Sequence, residues 1–389
     1  MGRHAQKYLI YTPLGLFVGV VSGLASALFL WSLAEITGLF QENTYLLFGL
    51  PLGGLVVGYL YARISPESDV GNTLIKREFK QPEHRLPKWM APLVLIGTLI
   101  GHLFGASVGR EGTAVQMGAG LADQIGGFLR LAQHHRPALL RMGVAGGFAS
   151  VFGTPWAGAV FAFEFLWKKN GHSHTVVPVI ISGFTAHYVC LATGMTHADY
   201  HISSPIGQEF STMLMALLVG VVVGLLALIY TVLHTKASAL ITGWLPNRMW
   251  RTAIGGLILG VVMFALHLDS YTGLSLPIIS ASFYEQQSWF VPVIKLVLTA
   301  LTLSFGFKGG EVTPLFMIGA AAGSFIGGWA NVPLDWMTAW GMAAMFGAVF
   351  QSPFTAMVIV AELFAPSGLW LAIPVCFIAA QVQRLSRWI

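Results

Sequence analysis

The stretch GREGTAVQMG, residues 109–118, places an arginine and a glutamate between apolar segments, directly before a run that favours a helix. The stretch GGEVTPLF, residues 309–316, has the same order of glycine, carboxylate and apolar run. A carboxylate in lipid-embedded sequence is costly and normally faces a cavity or an ion path. Helices that begin near mid-membrane direct their backbone N–H groups at anions. The two stretches therefore predict a membrane protein that moves an ion.

The composition supports a membrane protein independently of these stretches. Hydrophobic residues make up 55% of the 389 positions, charged residues make up 10%, and the mean hydropathy is +0.71. A soluble domain carries about 25% charged residues. The net charge of +5 is too small and too dispersed for a nucleic-acid surface, so we expect lipid and no nucleic acid as the surroundings of this chain.

Apolar runs recur along the chain with short polar breaks. Several runs are shorter than the roughly 20 residues that a full helical span needs. This mixture predicts an all-α, polytopic membrane fold with tilted and re-entrant helices. The runs cover residues 13–34, 45–62, 91–108, 112–129, 138–152, 155–167, 175–195, 211–234, 250–268, 290–305, 313–330, 338–350, 353–364 and 369–380.

The polar breaks predict the orientation. The longest break, residues 63–88, holds six basic and four acidic residues, whereas the turn at residues 41–44 has no lysine or arginine. Because basic loops stay on the cytoplasmic side, we expect the N-terminus in the cytoplasm and the chain in the inner cell membrane.

An internal repeat is visible in the sequence. Residues 143–166 align without gaps to residues 341–364, and the shared positions include a proline and a glutamate. Repeats of this kind in transporters place the substrate site at mid-membrane. We predict a single transmembrane domain over residues 1–389, with one half at 13–195, a second half at 211–380, and no soluble regulatory domain.

Three glycine-containing turns precede predicted helices and offer backbone N–H groups to an anion: residues 70–73, 109–113 and 310–314. Pro314 suits the first helical turn, where its missing N–H costs nothing. Glu111 has two possible roles. It either pairs with Arg110 as a structural carboxylate, or it competes with the anion for the same donors and carries protons. No set of residues has convincing metal-ligand spacing, so we expect no metal and no cofactor.

These motifs resemble the CLC family of chloride channels and anion/proton exchangers, and most closely its bacterial fluoride/proton antiporter branch. Residues 109–113 are similar to the gating-glutamate motif, with Thr113 where chloride-type members usually have proline. Residues 309–314 match the later anion-binding turn in its fluoride-type form. The first turn, residues 69–73, lacks the serine of chloride-type members and has a fluoride-like Gly-Asn pair. Val70 departs from the methionine that is common in that branch.

The resemblance implies a role for each motif residue. Glu111 is the expected gate and proton carrier, and a protonated Glu311 would donate a hydrogen bond to fluoride. The alternative for Glu311 is an ion pair with Lys308 or Arg110. Phe165 stands where exchangers carry an inner proton-transfer acid, which leaves the inner proton route open, through Glu311 or water. The candidate anion-binding residues are Val70, Gly71, Asn72, Gly109, Arg110, Gly112, Thr113, Glu311, Val312, Thr313 and Pro314.

The function that this resemblance implies is fluoride export in exchange for protons. A chloride/proton exchanger or a passive chloride channel of the same fold is the alternative. A membrane-embedded enzyme is a remote third, because the sequence shows no nucleophile–base pair. The resemblance also implies a homodimer that associates through helices around 155–195 and 353–380. Members of this family usually continue into a further short helix that narrows the inner side of the anion path. The basic tail at 381–389 stands in its place, so we predict a wider inner vestibule than in those relatives.

Overall fold

The computed structural model describes residues 3–167, 173–205 and 209–388. Over these residues the chain forms sixteen α-helices joined by turns and 3-10 helices, and it contains no β-strand. The all-α prediction is confirmed. The helices are α1 (Arg3–Glu42), α2 (Leu50–Ile64), α3 (Asn72–Lys80), α4 (Met90–Leu103), α5 (Glu111–Phe128), α6 (Arg136–Phe152), α7 (Pro155–Phe165), α8 (Val176–Ala192), α9 (Phe210–Trp244), α10 (Arg248–Ala265), α11 (Leu276–Ala281), α12 (Phe290–Ser304), α13 (Val312–Ala330), α14 (Leu334–Phe350), α15 (Pro353–Leu363) and α16 (Leu369–Arg384).

Each of the apolar runs in the sequence corresponds to one helix, because a continuous apolar run in lipid must satisfy its own backbone hydrogen bonds. Two helices lie outside these runs. Helix α3 is amphipathic and buries Leu74, Ile75 and Phe79 on one face, and helix α11 is only six residues long. The length of an apolar run does not reveal an amphipathic helix or a six-residue helix. The sequence did predict the turn before α3.

Six stretches are long and apolar enough to cross a membrane, judged by length and composition over the described residues. They are Ile10–Glu42, Thr44–Ile64, Phe210–Trp244, Arg248–Ala265, Val312–Ala330 and Pro366–Trp388. Four shorter apolar helices accompany them: α4, α8, α12 and α15. The protein is therefore a multi-pass membrane protein in which full spans and short helices coexist.

Contacts divide the chain into two compact units. The first unit comprises Met1–Gly38, Tyr59–Leu99 and Arg110–His197. The second comprises Leu39–Gly58, Ile100–Gly109 and Ala198–Ile389. Each unit thus takes segments from different parts of the chain, and the division into repeat halves at 13–195 and 211–380 stays a prediction.

Each unit contains a pair of helices in close backbone contact through glycines. In the first unit, a Cβ on Gly143 of α6 would lie 2.3 Å from the carbonyl oxygen of Gly118 in α5. In the second unit, a Cβ on Gly341 of α14 would lie 2.3 Å from the carbonyl oxygen of Gly319 in α13. Small residues permit this close approach in membrane bundles. Helices α6 and α7 also share their bounds with α14 and α15 at an offset of 198 residues.

A buried ionic cluster fixes the segment after α3 in the first unit. Arg136 Nε lies 2.8 Å from Asp123 Oδ1, and Arg136 Nη1 lies 3.5 Å from Glu78 Oε2. The same carboxylates accept backbone hydrogen bonds: Glu78 from the N–H groups of residues 83 and 84, and Asp123 from the N–H of Leu86. Arg136 therefore bridges two buried carboxylates that together hold this segment, and Arg85 and Arg77 approach the same carboxylates at 3.8 and 3.7 Å.

The last described residues extend α16 to Arg384 and continue as a 3-10 helix, Leu385–Trp388. The Gln383 amide donates to the Thr231 hydroxyl oxygen of α9 and accepts from the Gln351 amide. Polar side chains thus attach the end of α16 to α9, and the wider inner vestibule stays a prediction.

Arg136→Met should destabilise the protein strongly, because it leaves Asp123 and Glu78 buried without their shared cation. Removing one partner of a buried ion pair costs about 3–5 kcal/mol. The matched control is Arg77→Met: Arg77 also approaches Glu78, at 3.7 Å, but its side chain is 62% exposed. An exposed pair contributes about 1 kcal/mol or less. Unfolding of the detergent-solubilised variants measures both effects, and equal losses would contradict the assignment.

Candidate functional site

Helices α3, α5 and α13 begin after Gly71, Arg110 and Glu311, and, like α6 and α14 among others, they have no side chain that caps them. The first N–H groups of a helix have no partner within the helix. Together with the positive end of the helix dipole, such groups attract anions. These are the three helix starts that the sequence predicts.

The carboxylate of the first motif is buried in the first turn of α5. Glu111 is 0% exposed, and its Oε1 lies 3.3 Å from Nε of Arg110. Gly112 and Thr113 are buried beside it. The pairing of Glu111 with Arg110 that the sequence leaves open is therefore present. An ion pair of two neighbouring residues holds the carboxylate in place, and it leaves open whether Glu111 also carries protons.

Thr113 is attached to helix α4 through its hydroxyl group. Thr113 Oγ1 lies 2.7 Å from Oγ1 of Thr98, which donates its own hydrogen to the carbonyl oxygen of Val94. Either hydroxyl group can donate in the bond between the two threonines. The first turn of α5 is thereby fixed to α4.

The turn before α3 requires glycine. Gly71 has φ +49° and ψ −119°, a conformation that is costly for residues with a Cβ. A Cβ there would also lie 3.0 Å from the amide nitrogen of Gln116 in α5. Among the described atoms, Asn72 Oδ1 is buried and has no hydrogen-bond partner. Val70, in contrast, is 54% exposed.

The stretch at residues 309–316 contacts Gly109 directly. Gly109 and Gly310 exchange two backbone hydrogen bonds, with N···O distances of 2.5 and 2.7 Å, and form an isolated antiparallel bridge. A Cβ on Gly109 would lie 2.7 Å from Cδ of Pro314 and 3.2 Å from the backbone nitrogen of Thr313. Gly109 is therefore packed against the start of α13.

Glu311 has a partner that the sequence analysis missed. The hydroxyl group of Tyr230, on α9, donates to Glu311 Oε2 over 2.6 Å. Tyr230 is 1% exposed, and Val312, Thr313 and Pro314 are buried in the first turn of α13. Glu311 therefore has this tyrosine as a hydrogen-bond partner, and an ion pair of Glu311 with Lys308 or Arg110 stays a prediction. The only sequence signal was a tyrosine and a histidine four residues apart inside an apolar run.

The position expected for an inner acid is occupied by an aromatic cluster. Phe165 is buried at the end of α7, its ring stacks on Phe161, and the ammonium of Lys76 lies 4.3 Å from its ring centroid. Within the described residues, no group of three or more histidine, cysteine, aspartate or glutamate side chains could hold a metal ion.

The family model for voltage gated chloride channels matches residues 53–384. The chain belongs to this family. A chloride/fluoride channel protein of Pseudomonas syringae pv. tomato is 37% identical over 92% of this chain and 81% of its own length. An H(+)/Cl(-) exchange transporter of Vibrio parahaemolyticus is 28% identical over 79% of this chain and 69% of its own length.

Solved structures agree with this family membership. The crystal structure of a CLC-type fluoride/proton antiporter is similar with a TM-score of 0.92 and 31% identity, covering 97% of this chain and 95% of that one. A slow cyanobacterial Cl-/H+ antiporter has a TM-score of 0.84 at 17% identity, over 96% of this chain and 94% of that one, which supports the fold alone.

Gly109→Ala should destabilise the protein, because the new methyl group would collide with the Pro314 ring and the backbone of the second motif. Overpacking of this kind costs about 1–3 kcal/mol. Gly120→Ala is the matched control, since a Cβ on Gly120 of α5 would meet its nearest atom at 3.8 Å. Thermal unfolding in detergent compares the two variants. An unchanged Gly109→Ala protein would show that the bridge tolerates a side chain.

Proposed function

We propose that this protein is a fluoride/proton antiporter that exports fluoride. The observation that carries the proposal is the second carboxyl group, Glu311, at the uncapped start of α13. It is supported by the 37% identical relative named a chloride/fluoride channel protein and by the 31% identical fluoride/proton antiporter structure. The proposed transported species are fluoride and protons, with no cofactor, no metal and no enzymatic reaction.

Glu111 is the proposed gate and proton carrier. Its carboxylate is buried in the first turn of α5, where it occupies the positive end of the helix dipole that would otherwise attract an anion. An arriving anion competes for the same N–H groups, and a displaced carboxylate accepts a proton. Arg110 keeps the ionised form in place between these events.

Glu311 is the proposed source of fluoride preference. Fluoride is a small ion and a strong hydrogen-bond acceptor, so a protonated carboxyl beside it donates a short, charge-assisted hydrogen bond. Chloride is larger and gains less from the same donor. Tyr230 donates to Oε2 of Glu311 and holds the carboxyl group at the start of α13. The other residues of the three turns, including Asn72, Val312 and Thr313, are the proposed lining of the anion path.

A chloride/proton exchanger or passive chloride channel is the second candidate. The observation that favours it is Val70, which departs from the fluoride-type first turn and is exposed. The H(+)/Cl(-) exchange transporter relatives are consistent with it.

We also propose an inner-membrane location with a cytoplasmic N-terminus, and a homodimer with one pathway per subunit. Exposed aromatic side chains on α7 and α15, Trp156 and Phe354, lie within the predicted dimer segments. Labelling of a cysteine placed near residue 80 from the outside would contradict the orientation. Absence of cross-linking between cysteines placed on α7 would contradict the dimer.

Glu111→Gln should abolish fluoride-driven proton movement, because an amide cannot bind and release a proton at this position. The measurement is proton uptake by proteoliposomes under an imposed fluoride gradient, with fluoride efflux recorded in parallel by an electrode. Glu209→Gln, an exposed change at the start of α9, is the control and should behave like the wild type. Wild-type proton movement by Glu111→Gln would remove Glu111 from the mechanism.

The wild type should transport fluoride faster than chloride, and Glu311→Ala should reduce this preference by roughly tenfold, the effect of about 1.4 kcal/mol. The physical reason is the loss of the carboxyl donor at the start of α13. Parallel fluoride and chloride efflux from liposomes gives the ratio. Equal rates in the wild type would favour the chloride alternative.

A further inference from the structure

The proposed antiport requires a path for protons between Glu311 and the inner side, and Phe165 has no side-chain group that can carry a proton. We infer that His234 and Tyr230 of α9 form the inner proton route to Glu311. This inference rests on the proposed function, and it assigns a role to two side chains that lie outside the sequence motifs.

The route ends at a hydrogen bond between two weak acids. Tyr230 is buried in the middle of α9 and donates to Glu311 Oε2 over 2.6 Å. The side chain of Glu311 makes no capping hydrogen bond to its own helix. A proton delivered to the tyrosine oxygen, as the tyrosine hydrogen moves to Glu311, changes the charge of Glu311 and leaves Tyr230 neutral. The bond that holds the incoming proton on its donor and the old tyrosine O–H bond break, while a new tyrosine O–H bond and an O–H bond on Glu311 form, so the transfer balances.

His234 lies one helical turn after Tyr230 and on the same face. Its ring stacks on the tyrosine ring, with centroids 6.1 Å apart and planes at 12°. Side chains four residues apart are neighbours on a helix surface. Tyr230 and His234 are therefore consecutive polar groups along one face of α9.

The hydrogen bonds of His234 determine which nitrogen is basic. Nδ1 lies 3.1 Å from Ser304 Oγ and 3.4 Å from the carbonyl oxygen of Ala300. Ser304 donates its hydrogen to the Ala300 carbonyl over 2.7 Å, so its oxygen accepts from the imidazole. Nδ1 therefore carries the hydrogen in the neutral ring, and Nε2 is the nitrogen that takes up a proton.

The length of α9 lets part of the helix extend beyond the hydrocarbon layer. The helix has 35 residues and is about 52 Å long, whereas the hydrocarbon layer is about 30 Å thick. Buried positions end at Tyr230, and Thr235 and Lys236 are exposed. Ser238 continues the polar face and donates to Ser304. His234 thus lies just beyond the last buried position of α9. The proposed route requires a water molecule between the imidazole and the tyrosine hydroxyl group.

Charged groups on the elements packed against α9 bind other partners, so His234 is the candidate for passing protons to Tyr230. Lys295 of α12 donates to the oxygens of residues 271–275, Asp335 of α14 accepts from residues 203 and 204, and Arg384 of α16 donates to Gln351. Arg251 of α10 donates to Thr242 near the end of α9, and Cys376 of α16 and Arg387 in the last 3-10 helix are further titratable side chains on these elements. Glu311, at the start of α13, is the acid that the route serves.

The test compares His234→Asn and His234→Ala with the wild type in proteoliposomes, reading proton uptake and fluoride efflux together. Asparagine keeps a donor close to Ser304 but has no basic nitrogen. We expect both variants to slow coupled proton uptake by roughly tenfold or more. Added imidazole should restore His234→Ala, while fluoride binding measured by calorimetry stays within twofold of the wild type. Tyr230→Phe should show the same slow uptake. His201→Asn is the control, because the His201 side chain is 75% exposed.

Each outcome separates the inference from the proposed function. A wild type without fluoride-driven proton uptake would overturn the proposed function and remove the basis of the route. A coupled wild type together with His234→Asn and Tyr230→Phe at wild-type rates would overturn the route alone. Loss of fluoride binding in His234→Ala without rescue by imidazole would assign the histidine a structural role, which also overturns the route.

Discussion

The structure depends on a constraint that lipid imposes: a backbone N–H group without an acceptor costs several kcal/mol in a medium without water. Helices α3, α5 and α13 all begin without a side-chain cap. In a soluble protein, water would satisfy these groups. In a membrane bundle, an acceptor must come from the protein or from a ligand. A carboxylate that can leave, and an anion that can replace it, both meet this requirement.

Close backbone packing makes such helix starts possible. Gly118 against Gly143, and Gly319 against Gly341, let two helices approach until a carbonyl oxygen occupies the place of a missing side chain. The carboxylates then lie at the ends of rigid helix pairs instead of mobile loops. Gly109 also permits a close approach, because its backbone lies against the first turn of α13. Rigid placement matters since a donor that faces an anion must not relax toward another acceptor.

The sequence predicts the architecture well because hydropathy and glycine chemistry act locally. The apolar runs correspond to helices, and the turn before α3 is recognisable from Gly71 and Asn72. Helix α11 was missed because six residues contain too little pattern. Tyr230 was missed for a different reason: its contact with Glu311 joins residues 81 positions apart, and no local pattern reports which polar group in an apolar helix faces another element. The exposure of Val70 is likewise a tertiary property.

The hydrogen bond between Thr98 and Thr113 bears on which substitutions position 113 can accept. Thr98 gives its hydrogen to the Val94 carbonyl, so it remains satisfied as a donor when its partner on α5 changes. A threonine-to-proline change at position 113 therefore creates no orphaned hydroxyl and requires no second substitution on α4. It removes one backbone N–H from the uncapped first turn of α5. A single substitution at position 113 can thus interconvert the two motif forms without leaving the Thr98 hydroxyl hydrogen without an acceptor.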